Sequence, residues 1–441
     1  MNLKLKKGLN LRIAGAVADP TPREVKSEIC AIVPDDFPGF IPKLDVKEGQ
    51  AVKVGDALLH DKNNPDVCLV SPVSGTVKAV VRGERRKIEQ IILANDGRGD
   101  AKEFDLNEPL PMLLGKSGLA AMMRNRPFDV VINPWIRPRD IFVTCFDTAP
   151  LAPNLADSLG KDANEMLAKA VKALNELTDG GVFMSVPDMW PFEAVQGAQT
   201  VTVQGPHPAG CVGIQIANIA PVNKGEDVWT MDVITLYKIG KLLATGKVDP
   251  TVLVSVTGSE VTTPYVAKTV VGAEIKALLK GQVNDDHRHH RIVAGNLLSG
   301  VGVEHDDSYL QFPYRQVTVI PNGDDVDEFM GWASLSLKKL SVNPAIPFRG
   351  LTKLFKPDSR LNGGRRAMIM SGEYDKVMPA DIMVEYLLKA VISKNIDDME
   401  ALGIYEVAPE DLALCEFVDT SKLPIQLILR QGLDYLRKEL L

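Results

Sequence analysis

Val46-Lys47-Glu48-Gly49-Gln50-Ala51-Val52-Lys53-Val54-Gly55-Asp56 alternates apolar and polar residues and places a glycine at each bend. That pattern predicts short, half-buried strands joined by tight turns. Ser71-Pro72-Val73-Ser74-Gly75-Thr76-Val77 is a second turn opening onto a strand, and residues 31–100 read throughout as short strands. Arg82-Gly83-Glu84-Arg85-Arg86-Lys87 is too short, and too interrupted by its acid, to be a basic patch; it reads as a solvated hairpin tip.

Two such halves resemble the barrel-sandwich hybrid of lipoyl and biotinyl domains. In those carriers a hairpin lysine bears the swinging arm, often in an Asp-Lys pair a few residues before Ser-Pro. Here Asn63-Asn64-Pro65-Asp66 separates Asp61-Lys62 from Ser71-Pro72. Lys62 is therefore expected to be an unmodified surface lysine, and the module a docking scaffold.

The chain divides into an N-terminal strand plus barrel-sandwich hybrid (1–100), a Rossmann-like α/β domain (101–255), a β-grasp, SLBB-like domain (256–340), and a linker with a C-terminal helical domain (341–441). The fold class is α+β and multidomain. Phe128–Ile132 and Asp140–Phe146 read as buried strands. Ala163, Met166, Leu167, Ala170, Val171, Leu174 and Leu177 recur at helical spacing over 162–177. Gly180-Gly181 and the strand Val182–Val186 follow, so the sheet is expected to be parallel. In the third domain a helix is expected over Thr263–Leu279, with Val266, Val270, Ile275, Leu278 and Leu279 as its apolar set. Strands are expected at 291–294 and 316–320. Pro344, Pro347 and Pro357 mark the linker. In the tail, Ile382, Tyr386, Leu387, Leu388, Val391 and Ile392 form one apolar stripe, and Ile425–Leu436 a second.

Composition narrows the function. The chain has 441 residues, 45% of them apolar and 24% charged, with a net charge of −7. At roughly 100–200 residues per domain this accommodates three or four cores. The acidic balance and the lack of a Lys/Arg stripe argue against nucleic acid as a partner. Five cysteines, Cys30, Cys68, Cys145, Cys211 and Cys415, are odd in number and scattered, which argues against disulfides and cysteine-ligated clusters and fits a reducing cytoplasm. No apolar run reaches the about 18 residues of a membrane span. The Lys4-to-Ala18 segment imitates a signal peptide, but Arg12 breaks its apolar part. A membrane role would require docking on partners that span the bilayer.

Most motifs fail on mechanism. Gly115-Lys116-Ser117 lacks the earlier glycine of a phosphate loop, for Leu110 stands there. Gly300-Val301-Gly302 lacks the third glycine of a dinucleotide fingerprint, where His305 stands, so a plain turn is expected. His287, His289 and His290 beside Asp285 and Asp286 read as a polar loop rather than a metal site. Glu304-His305-Asp306-Asp307 lacks calcium-loop spacing. No nucleophile elbow or catalytic carboxylate pair stands out, so no catalytic or metal-binding residue is assigned. Gly205-Pro206-His207-Pro208-Ala209-Gly210 is the most distinctive segment. Two prolines stiffen the backbone around one imidazole, which either hydrogen-bonds a ligand carbonyl or caps a neighbouring element.

The chain resembles, nearly end to end, the NqrA family, whose members are subunits of the sodium-translocating NADH:quinone reductase (Na+-NQR). The resemblance rests on Lys6-Lys7-Gly8-Leu9, Ile13-Ala14-Gly15, Ser71–Val77, Arg126-Pro127-Phe128, Ile141–Leu151, Gly205–Gly210, Gly258-Ser259-Glu260-Val261, Arg366-Ala367-Met368, Val377–Ile382 and Pro409–Cys415. It implies a peripheral subunit on the cytoplasmic face of the bacterial inner membrane. Its partners would be five other subunits, some membrane-spanning, in a complex that passes electrons from NADH to quinone and exports sodium. The family looks related to flavin-bearing subunits that hold FMN on a glycine-rich loop and an iron–sulfur cluster on grouped cysteines. Here only Gly115 and Gly118 remain near that loop, Cys415 has no CxxC partner, and Asp419 stands where a second cysteine is often found. The expectation is a scaffold with no FMN and no Fe–S cluster, and no tightly bound cofactor. The family often continues after the HPAG segment with further histidines; Val212–Asn218 has none. A quinone needs a greasy slot and one or two donors. Phe128, Trp135, Phe146 and His207 are the candidate quinone-proximal residues. The alternative is a purely structural subunit with no small-molecule site.

Overall fold

The computed structural model describes residues 1–283, 289–324, 340, 354–361 and 363–440. Asp285, Asp286, His287, Pro344 and Pro347 lie outside the described residues.

The N-terminal module folds as two sheets. One orders Ile29–Ile32, Ile88–Asn95, Gly75–Arg82 and Ala51–Val52; the other orders Pro42–Leu44, Ala57–Asp61 and Cys68–Val70. Val46, Val52 and Val54 are buried as the alternation requires, while Gly49 and Gly55 turn the chain at φ +80° and +88°. Gly75 answers a different need. A Cβ there would lie 1.8 Å from the Ala94 carbonyl oxygen, so only glycine lets its strand meet Ile88–Asn95. Arg82–Lys87 forms the exposed tip between these two strands. Lys62 is exposed; its neighbour Asp61 is buried and accepts the backbone N–H groups of Ile41, Asn63 and Asn64. The Asp-Lys pair thus has a structural use for its aspartate.

The α/β domain carries a seven-stranded sheet in the order Asn2–Lys4, Ala198–Gln204, Val182–Val186, Asp140–Thr144, Val228–Asp232, Arg124–Arg126, Val130–Val131. The first five run parallel, and Arg124–Arg126 pairs antiparallel with both Val228–Asp232 and Val130–Val131. Ala163–Asn175 is a helix with its expected apolar face buried, and it packs against the helix Val233–Thr245. The strand expected over 128–132 is shorter, Val130–Val131, because Asp129 sits at φ +52°, off the extended conformation. The strand expected over 140–146 ends at Thr144.

The β-grasp sheet orders Val301–Val303, His290–Ala294, Gln316–Pro321, Thr251–Thr257, Tyr265–Val270 and Pro22–Glu24. Here one expectation fails. The helix expected over Thr263–Leu279 is a strand, Tyr265–Val270, followed by the five-residue helix Ile275–Leu279. Val266, Thr269 and Val270 are β-branched, and their strand pairs antiparallel with Thr251–Thr257 along its length. Tertiary pairing thus overrides a helical spacing that Val266 and Val270 met by coincidence.

The tail is helical around Val384–Ser393 and Ile425–Leu440, with Leu387, Leu388, Leu429 and Leu433 fully buried between them. The first apolar stripe needs correction: Tyr386 and Ile392 are 53% and 57% exposed, because the buried face of this short helix is narrower than the run of apolar residues. Among the described residues no helix is long and apolar enough to cross a membrane.

Candidate functional site

Asp140–Thr144 and Val228–Asp232 end side by side at the carboxyl edge of the parallel sheet, where open α/β sheets bind their ligands. A cleft of about 240 Å³ lies there. The α/β domain contributes Thr144, Phe146, His207 and Cys211; the β-grasp domain contributes Asn296, Tyr314 and Arg315; the helical tail contributes Glu410.

His207 is held from several sides. Its backbone N–H donates to Asn10 Oδ1 at 2.9 Å, and its carbonyl accepts the Leu9 N–H at 2.9 Å. Gly8, at φ +135°, passes so close that a Cβ would lie 2.2 Å from the His207 carbonyl oxygen. The imidazole Nδ1 meets Thr148 Oγ1 at 3.1 Å, and that hydroxyl also accepts the Gly210 N–H at 2.9 Å. Nε2 is buried and has no partner among the described residues. Burial pushes the imidazole down to about 4, so it is neutral at pH 7. A neutral imidazole with one nitrogen anchored leaves the other as an unpartnered polar atom in the wall of the cleft. Phe146 is half-buried on the same wall. Thr144 Oγ1 donates to the carbonyls of Phe146 and Gly210 and accepts from Gln215 Nε2 at 3.1 Å, tying the loop to the helix Val212–Ile219.

The opposite wall is fixed by charge. Arg315 donates to Asp232 Oδ2 from Nε at 2.9 Å and from Nη2 at 2.5 Å, while Asp232 Oδ1 accepts the Thr235 N–H and caps the helix Val233–Thr245. Burial alone would raise the Asp232 carboxyl; Arg315 and the cap hold it below its ordinary value. Phe312 is stacked on Phe37 with ring centroids 5.1 Å apart, lies under the Arg124 guanidinium, and donates its N–H to Asp36 Oδ2 at 3.0 Å. Burial pushes Asp36 up to about 7. Glu410 lines the cleft with its side chain 50% exposed. Desolvation by the surrounding protein, with Asp411 close by, raises its carboxyl.

Of the four residues singled out from sequence, His207 and Phe146 share this cleft. Phe128 lines a different groove of about 550 Å³, with Ile132, Ile136, Trp229, Tyr405 and Leu440. Trp135 is 49% exposed beside it, and its Nε1 donates to Asp66 Oδ2 at 2.9 Å. Sequence reading missed Thr148, Arg315 and Glu410; Thr148 and Glu410 fall inside the Ile141–Leu151 and Pro409–Cys415 segments that carry the family resemblance. Several residues of the motifs set aside have structural partners. Lys116 ends the helix Leu110–Lys116 and pairs with Glu108, and Gly300 precedes a strand. His289 meets Asp324, His290 faces Glu260 at 3.6 Å, and no group of three metal-ligating side chains occurs among the described residues.

Family models match in chain order: the NqrA N-terminal barrel-sandwich hybrid domain over residues 3–96, the NqrA second alpha/beta domain over 107–248, and the NQRA C-terminal domain, of SLBB type, over 253–305. The chain belongs to the NqrA family. Relatives in this family agree over nearly the full length. The NqrA protein of Neisseria meningitidis (serogroup C, strain FAM18), named as a subunit of the Na(+)-translocating NADH-quinone reductase, is 36% identical over 456 residues, 99% of this chain and 100% of its own. The protein of the same name from Pasteurella multocida is 33% identical over 448 residues, with the same coverage. The family's barrel-sandwich hybrid, α/β and SLBB units are those of the fold above, with helices following them.

Proposed function

We propose that this chain serves as the NqrA component of a Na+-translocating NADH-quinone reductase and that its interdomain cleft receives the quinone head group. The observation that carries the reading is His207: a neutral imidazole with an unsatisfied Nε2, braced by Thr148, beside Phe146 at the sheet's carboxyl edge. A quinone carbonyl is an acceptor suited to one N–H, and its ring suits an apolar wall. Nδ1 accepting the Thr148 hydroxyl proton leaves the imidazole proton on Nε2, the tautomer such a carbonyl needs.

In this reading the chain carries no flavin, metal or iron–sulfur cluster of its own. Cluster ligation needs grouped thiolates. Burial holds the scattered cysteines as thiols, pushing Cys68 up to about 11 and Cys30 and Cys415 up to about 12. The chain docks peripherally on membrane-spanning partners, at the cytoplasmic face.

Calorimetric titration of a short-chain benzoquinone into the purified chain tests the cleft. Saturable binding that His207→Ala and Phe146→Ala weaken at least about tenfold is expected. No saturable heat, or variants that bind like the parent, overturns it and leaves a structural subunit. Affinity purification from solubilised membranes tests the assembly. Co-purification of five other subunits with sodium-dependent quinone reduction is expected; recovery of the chain alone overturns it.

A further inference from the structure

Reducing a quinone to a quinol takes two electrons and two protons, so a cleft that houses this step needs a source of protons as well as a grip on the ring. His207 cannot be that source. It is already neutral, and surrendering its remaining proton would leave an imidazolate. The other ionisable groups on the cleft wall sort by geometry. Asp232 is consumed by Arg315 and by the helix it caps. Tyr314 donates its hydroxyl to the Ser299 carbonyl, and Cys211 sits at the start of the helix Val212–Ile219 with its thiol raised by burial. Asp147 is exposed, and its carboxylate is engaged by its own loop, Oδ1 accepting the Ala149 N–H at 2.8 Å. Glu410 is different. No hydrogen bond from the described residues ties its carboxyl, its side chain is half exposed where it lines the cleft, and Arg126 Nη2 stands 3.7 Å away.

We propose that Glu410 is the proton donor for the quinone bound in this cleft, a role that rests on the reading of the cleft as a quinone site. Electrons reach the quinone from NADH through redox groups of the other subunits. As the ring is reduced, the Glu410 O–H bond breaks and an O–H bond forms on one ring oxygen; the second proton comes from water. Glu410 is left as a carboxylate, which the buried Arg126 stabilises, and it takes a new proton from water at the cleft mouth. Its surroundings suit both halves of this cycle. The carboxyls of Asp129, Asp147 and Asp411 favour the protonated acid before transfer, and Arg124 and Arg126 favour the anion after it. Cys211 and Tyr314, which also face Glu410, stay neutral with raised pKa values.

The test uses the assembled complex carrying Glu410→Gln and Glu410→Asp, with quinone binding measured on the purified chains. Glu410→Gln is expected to bind the short-chain benzoquinone within about twofold of the parent. Quinone reduction is expected to fall between about tenfold and a thousandfold, with Glu410→Asp recovering part of the rate and shifting the alkaline limb of the pH profile. Parental rate and pH profile in Glu410→Gln, with quinone binding intact, overturn the donor role while leaving the quinone site standing. Failure of the parent chain to bind the quinone removes the site and the donor together. Should Glu410→Gln fail to assemble, Glu410→Asp decides alone: an unchanged pH profile overturns the proposal.

Discussion

The Arg126 guanidinium and the Asp411 carboxylate lie 3.4 Å apart in the protein interior, although 285 positions separate them in the chain. Arg126 comes from the antiparallel strand next to the edge of the α/β sheet and Asp411 from the helical tail, so the pair couples the two. Asp411 Oδ2 also accepts the Ala408 N–H. Removing one partner leaves the other charged and buried. Asp411→Ala is expected to cost about 3–5 kcal/mol in denaturant unfolding, whereas Arg126→Met with Asp411→Leu recovers most of it. A double variant no more stable than Asp411→Ala contradicts this.

Gly213 approaches the same carboxylate. A Cβ there would lie 2.0 Å from Asp411 Oδ2. Gly213→Ala, normally favourable inside a helix, is therefore expected to destabilise by about 1–3 kcal/mol. A Tm equal to or above the parent's would show that the tail yields at no cost.

His207 makes stability depend on pH. Its folded pKa, about 4, lies below the ordinary 6.5, so the unfolded chain binds more protons between these values. The contribution is complete above pH 6.5 and is lost as pH falls towards 4. From pH 7 to pH 5 the loss is about 2 kcal/mol. His207→Gln should remove that part of the slope; parallel stability–pH curves for parent and variant would refute it.

Asp36 acts with the opposite sign. Burial raises it from 3.8 to about 7, so its contribution is complete below pH 3.8 and is lost as pH rises through 7. Asp36→Asn keeps an acceptor for the Phe312 N–H and removes the charge. It is expected to stabilise the protein at pH 8 by on the order of 1–2 kcal/mol and to be nearly neutral at pH 4. A variant less stable than the parent at pH 8 would disprove this.

Arg315 and Asp232 brace the cleft between two domains. Arg315→Ala is expected to lower stability by about 2–4 kcal/mol and to weaken benzoquinone binding. Unaltered binding with lowered stability would place the ligand away from this wall.

Local rules made much of the fold legible. Gly49 and Gly55 mark bends because their backbone demands it, and Ala163–Asn175 announces itself by spacing and by the polar residues between. The failures have physical causes. Val266 and Val270 sit four apart as a helix would place them, but a strand partner beginning at Thr251 claims them. Tyr386 and Ile392 are apolar without being core, since nothing in a single helix's spacing reveals how wide its buried face will be. The site was the least legible part. His207 stood out because two prolines flank it; Arg315 and Glu410 did not, because three domains bring them to one cleft and no short motif records such a meeting. Phe128 and Trp135 were chosen for aromatic character, which cannot tell one apolar groove from another.

Asn2–Lys4 adds a strand to the α/β sheet beside Ala198–Gln204, and Pro22–Glu24 adds one to the β-grasp sheet beside Tyr265–Val270. During synthesis, residues 2–24 therefore leave the ribosome long before the segments they pair with. The two early strands stay unpaired until those later segments have emerged, so the domains cannot mature strictly in the order of translation.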